Sequence, residues 1–546
     1  MVPDSFVAGK PAHAVMQVMP LEPEMEIDRQ TVFYSDRPTG ALLKYGIKTV
    51  NFTPVTDHIR LARTEVRHLL CGRNLYRMGF NGEKELFTKA SAFYQDLNNQ
   101  VWIGLNIDHQ VKNLQGIHFY LDFPNTPNRH ELYSLLTHTK WSIDGQPLIM
   151  DPGLYRSETV DAPSGGIFSY YNQLQTNDDE VLELYRKQFL HIREKVKPAA
   201  LRRAPFPEEL AAFFPGRVNQ LEADYWIKVV FPAYFRQDDL DDLTISMNSF
   251  PVNNKNLRVN HLYGSRSLTG ILPLPTQPGE YFLSVESVED SHGKVYNFLP
   301  YSQTEAPLGG TYTIKRNGLE RFSHRDLKNM TDQFISMLRS ELVVFTALKI
   351  DNISNSISEM EQIIRLMQDK IDSNNPIIRE KPAYLLIDVD GEKKDPDITC
   401  DYWTTCCDLA NHLPFGTPFM PLKTVPLEKD SCFLLKAASG GKAIPKKEEM
   451  LMAYKYALTT RDQLFSGRDI ENYCRMKYPG YFHRIQVQRG IACSPKPKEG
   501  LIRTVDVCIV PLTEYKEHFD AIALGELKTE LEKRSPDTYN YRILIE

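Results

Sequence analysis

The sequence predicts a multidomain α+β protein: β-rich N-terminal and middle domains, a long helical bundle element, and a C-terminal ferredoxin-like (split βαβ) α/β domain. Three observations carry this. Apolar residues alternate with period two between residues 101 and 123, a heptad stripe runs from 353 to 371, and strands and helices follow in the order β-α-β-β-α-β after 431. At roughly 150 residues per domain, a chain of 546 residues has room for about three or four modules.

Residues 1–75 form an N-terminal β-rich segment of short apolar stretches broken by Pro and Asp. The region 76–322 reads as β-sandwich-like with helical insertions. Here Val101, Ile103, Leu105 and Ile107 oppose Trp102, Gly104, Asn106 and Asp108, and Ile117, Phe119, Leu121 and Phe123 oppose His118, Tyr120 and Asp122. Such alternation predicts two half-buried strands, which Lys112-Asn-Leu-Gln-Gly116 would join as a hairpin. Residues 178 to 196 are predicted helical, Trp226 to Tyr234 and Tyr281 to Val288 extended, and Ile271 to Pro278 a loop by its prolines.

From Ser323 to Ser373 there is neither Pro nor Gly. Within it Ile353, Ile357, Met360, Ile364, Met367 and Ile371 recur at steps of four and three, the a and d seam of a coiled coil. Residues 323–375 are therefore predicted to be a bundle element. An amphipathic helix on its own domain's core and a helix that meets another chain both fit this stripe. A mixed β segment follows over 376–430, with a strand from Tyr384 to Val389 and a turn at Asp390-Gly391.

The α/β domain covers 431–546. Its strands are predicted at Cys432 to Ala437, Arg484 to Gln488, Arg503 to Pro511 and Tyr541 to Ile545, with helices from Lys447 to Lys477 and from His518 to Lys533. Ser466 and Asp469 have the spacing of a capping box.

Charge narrows the function classes. With 64 basic and 70 acidic residues the net charge is -6, so no global basic field draws in nucleic acid. Mean hydropathy is -0.38. The most apolar stretch, Leu338 to Ile350, is interrupted by Arg339, Ser340, Glu341 and Lys349, well short of the ~18 continuous apolar residues of a membrane helix. The opening residues lack the pattern of an export signal. A cytosolic protein without stable membrane insertion is expected, and its eight scattered cysteines are expected as reduced thiols.

No chemical motif is complete. His324-Arg325-Asp326-Leu327-Lys328 looks like a kinase catalytic loop, but Thr331 stands where the metal-holding Asn belongs, and Ser323 fits a helix cap. Ser439-Gly440-Gly441-Lys442 lacks the first Gly and the Ser or Thr of a phosphate loop, with Lys436 and Ala443 in those places. Cys400, Cys406, Cys407 and His412 could supply soft ligands, yet no C-x-x-C is present and adjacent cysteines in a strand point apart. Asp388, Asp390, Asp395 and Asp397 lack the Gly and Glu of a calcium loop. Neither G-x-S-x-G nor H-E-x-x-H occurs, so no catalytic, cofactor-binding or metal residue is assigned, and no cofactor.

Several segments in order resemble TssF, the baseplate wedge family of type VI secretion systems, and wedge proteins of contractile phage tails. They are Gly9-Lys10-Pro11-Ala12-His13-Ala14-Val15-Met16, Asn51-Phe52-Thr53-Pro54-Val55, Leu121-Asp122-Phe123, Leu243 to Asn254 followed by Lys255, Ser284-Val285-Glu286-Ser287-Val288 and Tyr402-Trp403-Thr404-Thr405. The C-terminal part is similar to the last domain of baseplate J-like proteins through Thr460-Arg461, Arg468 to Tyr473, Tyr478-Pro479-Gly480, Arg484 to Val487 and Val505 to Pro511.

The resemblance implies a structural protein without catalysis. It would assemble with a second copy of itself, a TssG-like wedge protein, a sheath initiator, a TssK-like adaptor and a central hub, in a cytoplasmic baseplate docked at the inner membrane. The seam Ile353, Ile357, Met360, Ile364, Met367 and Ile371 would be the partner interface. Relatives carry a helical segment ahead of the position of Met1, so a truncated start or a short family member is expected.

Two rival readings remain. One is a cytosolic multidomain hydrolase with a spatially assembled site. The other is a nucleic-acid scaffold using Lys442, Lys446, Lys447, Arg484, Arg489, Lys496 and Lys498, ranked last because charge runs of this size are usually solvated surface.

Overall fold

A computed structural model describes residues 9–79, 82–90, 99–126, 129–155, 173–203, 206–211, 214, 223–262, 271–298, 310–315, 383–388, 397–444, 447–460, 463–494, 500–512, 519, 521–536 and 538–545. The predicted bundle element, 323–375, with Ile353, Ile357, Met360, Ile364, Met367 and Ile371, and the Asp390-Gly391 turn lie outside the described residues. Among the described residues the chain is β-rich with few helices, and it folds as two compact units. One joins the residues up to Asn256 to those from Thr404 onward, and the other is Leu257–Trp403. The first unit is discontinuous in sequence, because strands from its two parts share a sheet, whereas the second is one continuous segment.

The first unit is organised around a closed barrel of His13–Gln17, Ser249–Asn254, Val50–Pro54, Phe33–Ser35, Pro418–Pro421 and Cys432–Leu434. Phe33, Phe52, Phe250, Val252, Phe419 and Leu434 fill it. Phe52 meets Phe419 edge to face at 5.5 Å, a favoured aromatic geometry. Ser249–Asn254 is buried at every residue, polar ones included, so each polar group needs a partner. Asn254 donates to Asn51 O at 2.8 Å and accepts from Cys406 N at 2.8 Å and Thr405 Oγ1 at 3.1 Å. Asp178 accepts from Asn253 Nδ2 at 2.7 Å, and from Lys255 Nζ at 3.1 and 2.9 Å.

Beside the barrel, a seven-stranded sheet and a four-stranded sheet share one core that includes Leu69, Ile103, Leu105, Phe119, Leu121, Trp141, Ile227 and Ile245. Gln100–Ile107 lies in the first sheet, between Thr64–Cys71 and Tyr225–Val230. His118–Asp122 lies in the second, between Phe189–Ile192 and Thr244–Met247. The predicted hairpin is therefore incorrect: residues 112–116 cross between sheets, with Arg60 donating to Asn113 O at 2.9 Å and Gly116 at φ +80°. A short polar link suits a hairpin and a crossover equally. Distant strands decided between them. Nor is Gln100–Ile107 half-buried, since Trp102 on its other face packs with Phe206, Phe214 and Trp226.

Asn248 joins this sandwich to the barrel. It sits at φ +53°, which asparagine tolerates better than most residues. Its side chain accepts from Ala62 N at 3.1 Å and donates to Ala62 O at 2.8 Å and Thr64 O at 3.1 Å.

Two further predictions need correction. The helix expected over 178 to 196 is Gln173–Arg186, and its last part is instead the strand Phe189–Ile192, a four-residue apolar run that completes the smaller sheet. The loop expected from Ile271 to Pro278 begins with the strand Ile271–Leu274, which tolerates Pro273 because it is a sheet edge. That strand belongs to the second unit, where a three-stranded and a four-stranded sheet enclose Leu272, Leu274, Phe282, Val288, Leu385, Cys400 and Tyr402.

The C-terminal module comprises helices Lys447–Thr460 and Gly467–Lys477, strands Phe482–Cys493 and Leu501–Pro511, helix Ala521–Arg534 and strand Tyr541–Ile545. The capping box forms: Asp469 N donates to Ser466 Oγ at 3.2 Å and Ser466 N to the Asp469 carboxylate at 2.9 Å. The split βαβ arrangement does not. Cys432–Leu434, its expected first strand, closes the barrel against His13–Gln17 and Pro418–Pro421, which leaves a three-stranded sheet over Ile470, Tyr473, Val507, Ile509, Leu527 and Leu531.

Removing one member of a buried ion pair strands the other, at a cost of ~3–5 kcal/mol. Lys255→Met alone and Asp178→Leu alone are each expected to destabilise the protein by about that much, and the double substitution by clearly less than their sum. Urea denaturation of the four proteins measures it; additive losses would show that the pair is not coupled.

Candidate functional site

Among the described residues, the largest concentration of partly buried charge lies where the C-terminal module meets the barrel and the Gln173–Arg186 helix. It begins with backbone. Lys10 N donates to Lys442 O at 2.8 Å and Lys442 N to Lys10 O at 3.0 Å, while His13 and Ser439 exchange bonds of 2.8 and 3.0 Å. The Ser439–Lys442 turn is thus zipped to the first segment of the wedge-like resemblance. Its glycines serve close approach: a Cβ on Gly440, at φ +79°, would fall 2.2 Å from His13 Nε2, and one on Gly441 would fall 2.3 Å from Cys407 O.

This zipper delivers two ammonium groups to the module. Lys10 Nζ lies 2.8 Å from Glu180, on the Gln173–Arg186 helix. Lys442 Nζ donates to Lys477 O at 3.2 Å and stands 4.7 Å over the Tyr478 ring. From the module, Lys477 reaches Glu530 at 2.8 Å, Arg534 comes within 4.0 Å of Glu180, and the Tyr473 hydroxyl donates to Glu530. Two carboxylates from different helices are therefore ringed by four cations.

Burial works against the charges of Lys10, Glu180 and Glu530, and the partners prevail. It disfavours the Lys10 ammonium, yet Glu180 and Glu530 hold its pKa above the ordinary value. It disfavours ionised Glu180, yet Lys10 holds that carboxyl low against repulsion from Glu530. Glu530 is driven well below its ordinary range, against burial, by Lys477, Lys10, Arg534 and Lys442. Tyr473 is pushed well above its ordinary value by burial and Glu530, so it stays a donor.

A narrow cleft adjoins the cluster, lined among others by His130, Tyr133, Lys436, Lys528 and Glu532. Gly525 lets the Ala521–Arg534 helix come so close that a Cβ would fall 1.7 Å from His130 Cε1. Behind it Asp122 accepts from Tyr133 and, at 3.2 Å, from Tyr120. Burial opposes the ionised Asp122, but Lys436 and the Tyr133 hydroxyl hold its pKa below the ordinary value.

The arrangement suits a clamp better than proton transfer. A general acid or base works best with a pKa near the operating pH, and the shifted groups of the cluster and of the cleft beside it move away from neutrality. Burial lowers His118 to about 4, and its Nε2 pairs with Ser249 O at 2.7 Å. Burial raises the thiols of Cys71, Cys400 and Cys474 to about 12 and that of Cys432 to about 11, away from the thiolate needed by a nucleophile or ligand. Cys400 belongs to the core of the second unit and Cys406 to that of the barrel. Among the described residues no group of three or more His, Cys, Asp or Glu is placed to hold a metal ion, and no helix is long and apolar enough to cross a membrane.

Of the residues singled out from sequence, the six seam positions lie outside the described residues. The charged cluster was missed, since its members are spread from Lys10 to Arg534 and no linear spacing joins them. The one sequence signal is the presence of Lys10 and Lys442 in segments singled out for other reasons.

No family model matches this chain, and no curated protein does. Among solved structures it is similar to a chain of the type VI secretion system TssK-TssF-TssG baseplate subcomplex, at 11% identity and a TM-score of 0.46, over 99% of this chain and 89% of that one. It is also similar to a chain of the baseplate complex from the type VI secretion system, at 10% identity and a TM-score of 0.38, over 99% and 83%.

The clamp has a defined pH window. Glu180 and Glu530 lie below their ordinary value of 4.5 when folded, so their contribution is complete above that pH and is lost as pH falls through the folded values. Lys10 lies above 10.5, so its contribution is complete below that pH and is lost as pH rises through the folded value. Hydrogen exchange in Ala521–Arg534 is expected to accelerate on both flanks, and Glu530→Gln to raise exchange at pH 7 while flattening the acid flank. An acid flank of unchanged steepness in that variant would remove Glu530 from the account.

Proposed function

We propose that this chain is a structural, non-enzymatic wedge subunit of a type VI secretion or related contractile injection baseplate. One observation carries the reading: the short segments that resemble the wedge family, far apart in sequence, pair with one another in space. His13–Gln17 and Val50–Pro54 flank Ser249–Asn254, which ends the Leu243 to Asn254 segment. His118–Asp122 pairs with Thr244–Met247 from that same segment. Tyr281–Asp290 neighbours Ile398–Thr405, so the segments at 284–288 and 402–405 share a sheet. In the C-terminal module, Arg484 to Val487 pairs with Ile509 to Val507 and Val510. Collinear chance matches have no reason to be mutual strand partners.

In this reading the subunit joins a second copy and a TssG-like chain through the seam Ile353, Ile357, Met360, Ile364, Met367 and Ile371. The barrel, sandwich and C-terminal module contact a sheath initiator, a TssK-like adaptor and the hub, in a cytoplasmic baseplate docked at the inner membrane. The work is mechanical: stiff modules transmit baseplate rearrangement to sheath contraction. The rival hydrolase reading gains no support from the charged cluster, whose shifted groups are each moved away from neutrality.

Co-expression with the neighbouring genes' products, followed by light scattering, tests the reading. The intact chain is expected as a complex containing two copies and one TssG-like chain, and Ile357→Asp with Ile364→Asp is expected to release a folded monomer. A stable monomer from the unaltered chain, or a complex indifferent to the double substitution, would count decisively against it.

A further inference from the structure

In the C-terminal module the hairpin is longer than the layer that covers it. Phe482–Cys493 and Leu501–Pro511 stay in register from Ile485 opposite Ile509 out to Cys493 opposite Leu501. The third strand accompanies only Val505 to Ile509. Because side chains alternate across a strand, Ile485, Val487, Arg489, Ile491 and Cys493 share one face with Ile509, Val507, Val505, Arg503 and Leu501.

At its root this face is core, with Ile485 and Ile509 buried. Toward the tip it is uncovered by any described residue: Ile491 is 66% exposed and Leu501 72%, and among the described large hydrophobic residues only Leu458 is more exposed than Leu501. The same arm is basic. Arg484, Arg489 and Arg503 are exposed, and Asp506, on the same hairpin, is held by Arg542. Over 489–503 the sequence has Arg489, Lys496, Lys498 and Arg503 against Glu499.

Phe482–Cys493 also ends the sheet, so twelve residues of backbone edge have no neighbouring strand among the described residues. Proteins normally blunt such an edge by shortening it, bulging it or covering it. Here the irregularity falls at the root, between Phe482 and Arg484, and the distal edge runs on in regular register. Arginines alone would discourage random pairing, but they do not account for apolar side chains kept exposed beside them. A second copy of the same edge would bring like charges together, whereas an acidic strand would neutralise them.

We infer that the distal arm, Arg489 to Cys493 with Leu501 to Arg503, docks a partner protein by strand addition, the partner supplying an extended segment of alternating acidic and apolar residues. Backbone pairing along the open edge would give affinity, Ile491 and Leu501 would bury the apolar positions, and the arginines would set register and sign. This inference stands apart from the baseplate reading.

The test uses the full chain and a labelled peptide of about ten residues alternating Glu and Val, with a Lys-Val peptide and a Glu-Gly-Pro peptide as controls, read by fluorescence anisotropy. The Glu-Val peptide is expected to bind at least about tenfold more tightly than either control. Arg489→Glu with Arg503→Glu, and separately Ile491→Thr with Leu501→Thr, are each expected to weaken it by about tenfold or more with unchanged thermal melts. Equal affinity for the Lys-Val peptide, or binding indifferent to the charge reversal, overturns the inference. So does self-association in sedimentation that the threonine pair abolishes, which would give the arm to a second copy.

Discussion

The first unit depends on burying one polar strand, most of whose side-chain groups are met by partners from distant segments, Asn253 Oδ1 being the exception. Ser249–Asn254 is enclosed on both sides, and the Asp178 carboxylate supplies what the barrel itself lacks: an acceptor for Asn253 and a counter-charge for Lys255. Burial raises Asp178 above its ordinary pKa even though Lys255 pulls the other way. The pair is therefore held against a desolvation cost that packed hydrocarbon would avoid. What it confers is uniqueness of position. A strand whose neighbours must present Asn51 O, Thr405 Oγ1 and the Asp178 carboxylate cannot slip by one residue without orphaning buried groups.

From that strand the rest of the unit is placed. Asn248 turns the chain out of the sandwich, and Asn254 gathers Thr405 and Cys406, which lead toward the barrel's last two strands. The return segment then zips Ser439 and Lys442 onto His13 and Lys10, and this sets the ammonium groups against which the C-terminal module docks. Core, junction and clamp form one sequence of dependence. Along it, position is fixed by directional bonds as well as by apolar contact.

The two ends of this unit are held differently from its extremity. At the clamp, carboxylates and cations are shielded and mutually satisfied, so the docking there is internal and persistent. On the C-terminal hairpin Arg484, Arg489 and Arg503 are exposed, and the apolar side chains of Ile491 and Leu501 beside them are uncovered by any described residue. Charge that has found its partners holds a protein together; charge of one sign left outward beside apolar surface selects what comes next.

How much of this was legible in the sequence follows from the range of each interaction. The strands about Ile103 and Leu121, the capping box at Ser466 and Asp469, and the strand–helix order after Lys447 rest on neighbours within a few residues, so periodicity and spacing determined them. Which strand pairs with which rests on contacts between residues hundreds of positions apart. The same local pattern that suggests a hairpin at residues 112–116 is used as a crossing between sheets, and Cys432–Leu434, a plausible first strand for the last module, is claimed by the barrel. The clamp was invisible for the same reason, since Lys10, Glu180, Lys477 and Glu530 are ordinary surface residues until folding brings them together. The sequence by itself determined the class of structure and the strands that alternate most clearly, because backbone preference and side-chain alternation are local. Only the tertiary structure decided sheet membership, the barrel and the charged junction, because pairing energy and desolvation depend on partners that the chain meets after it has folded.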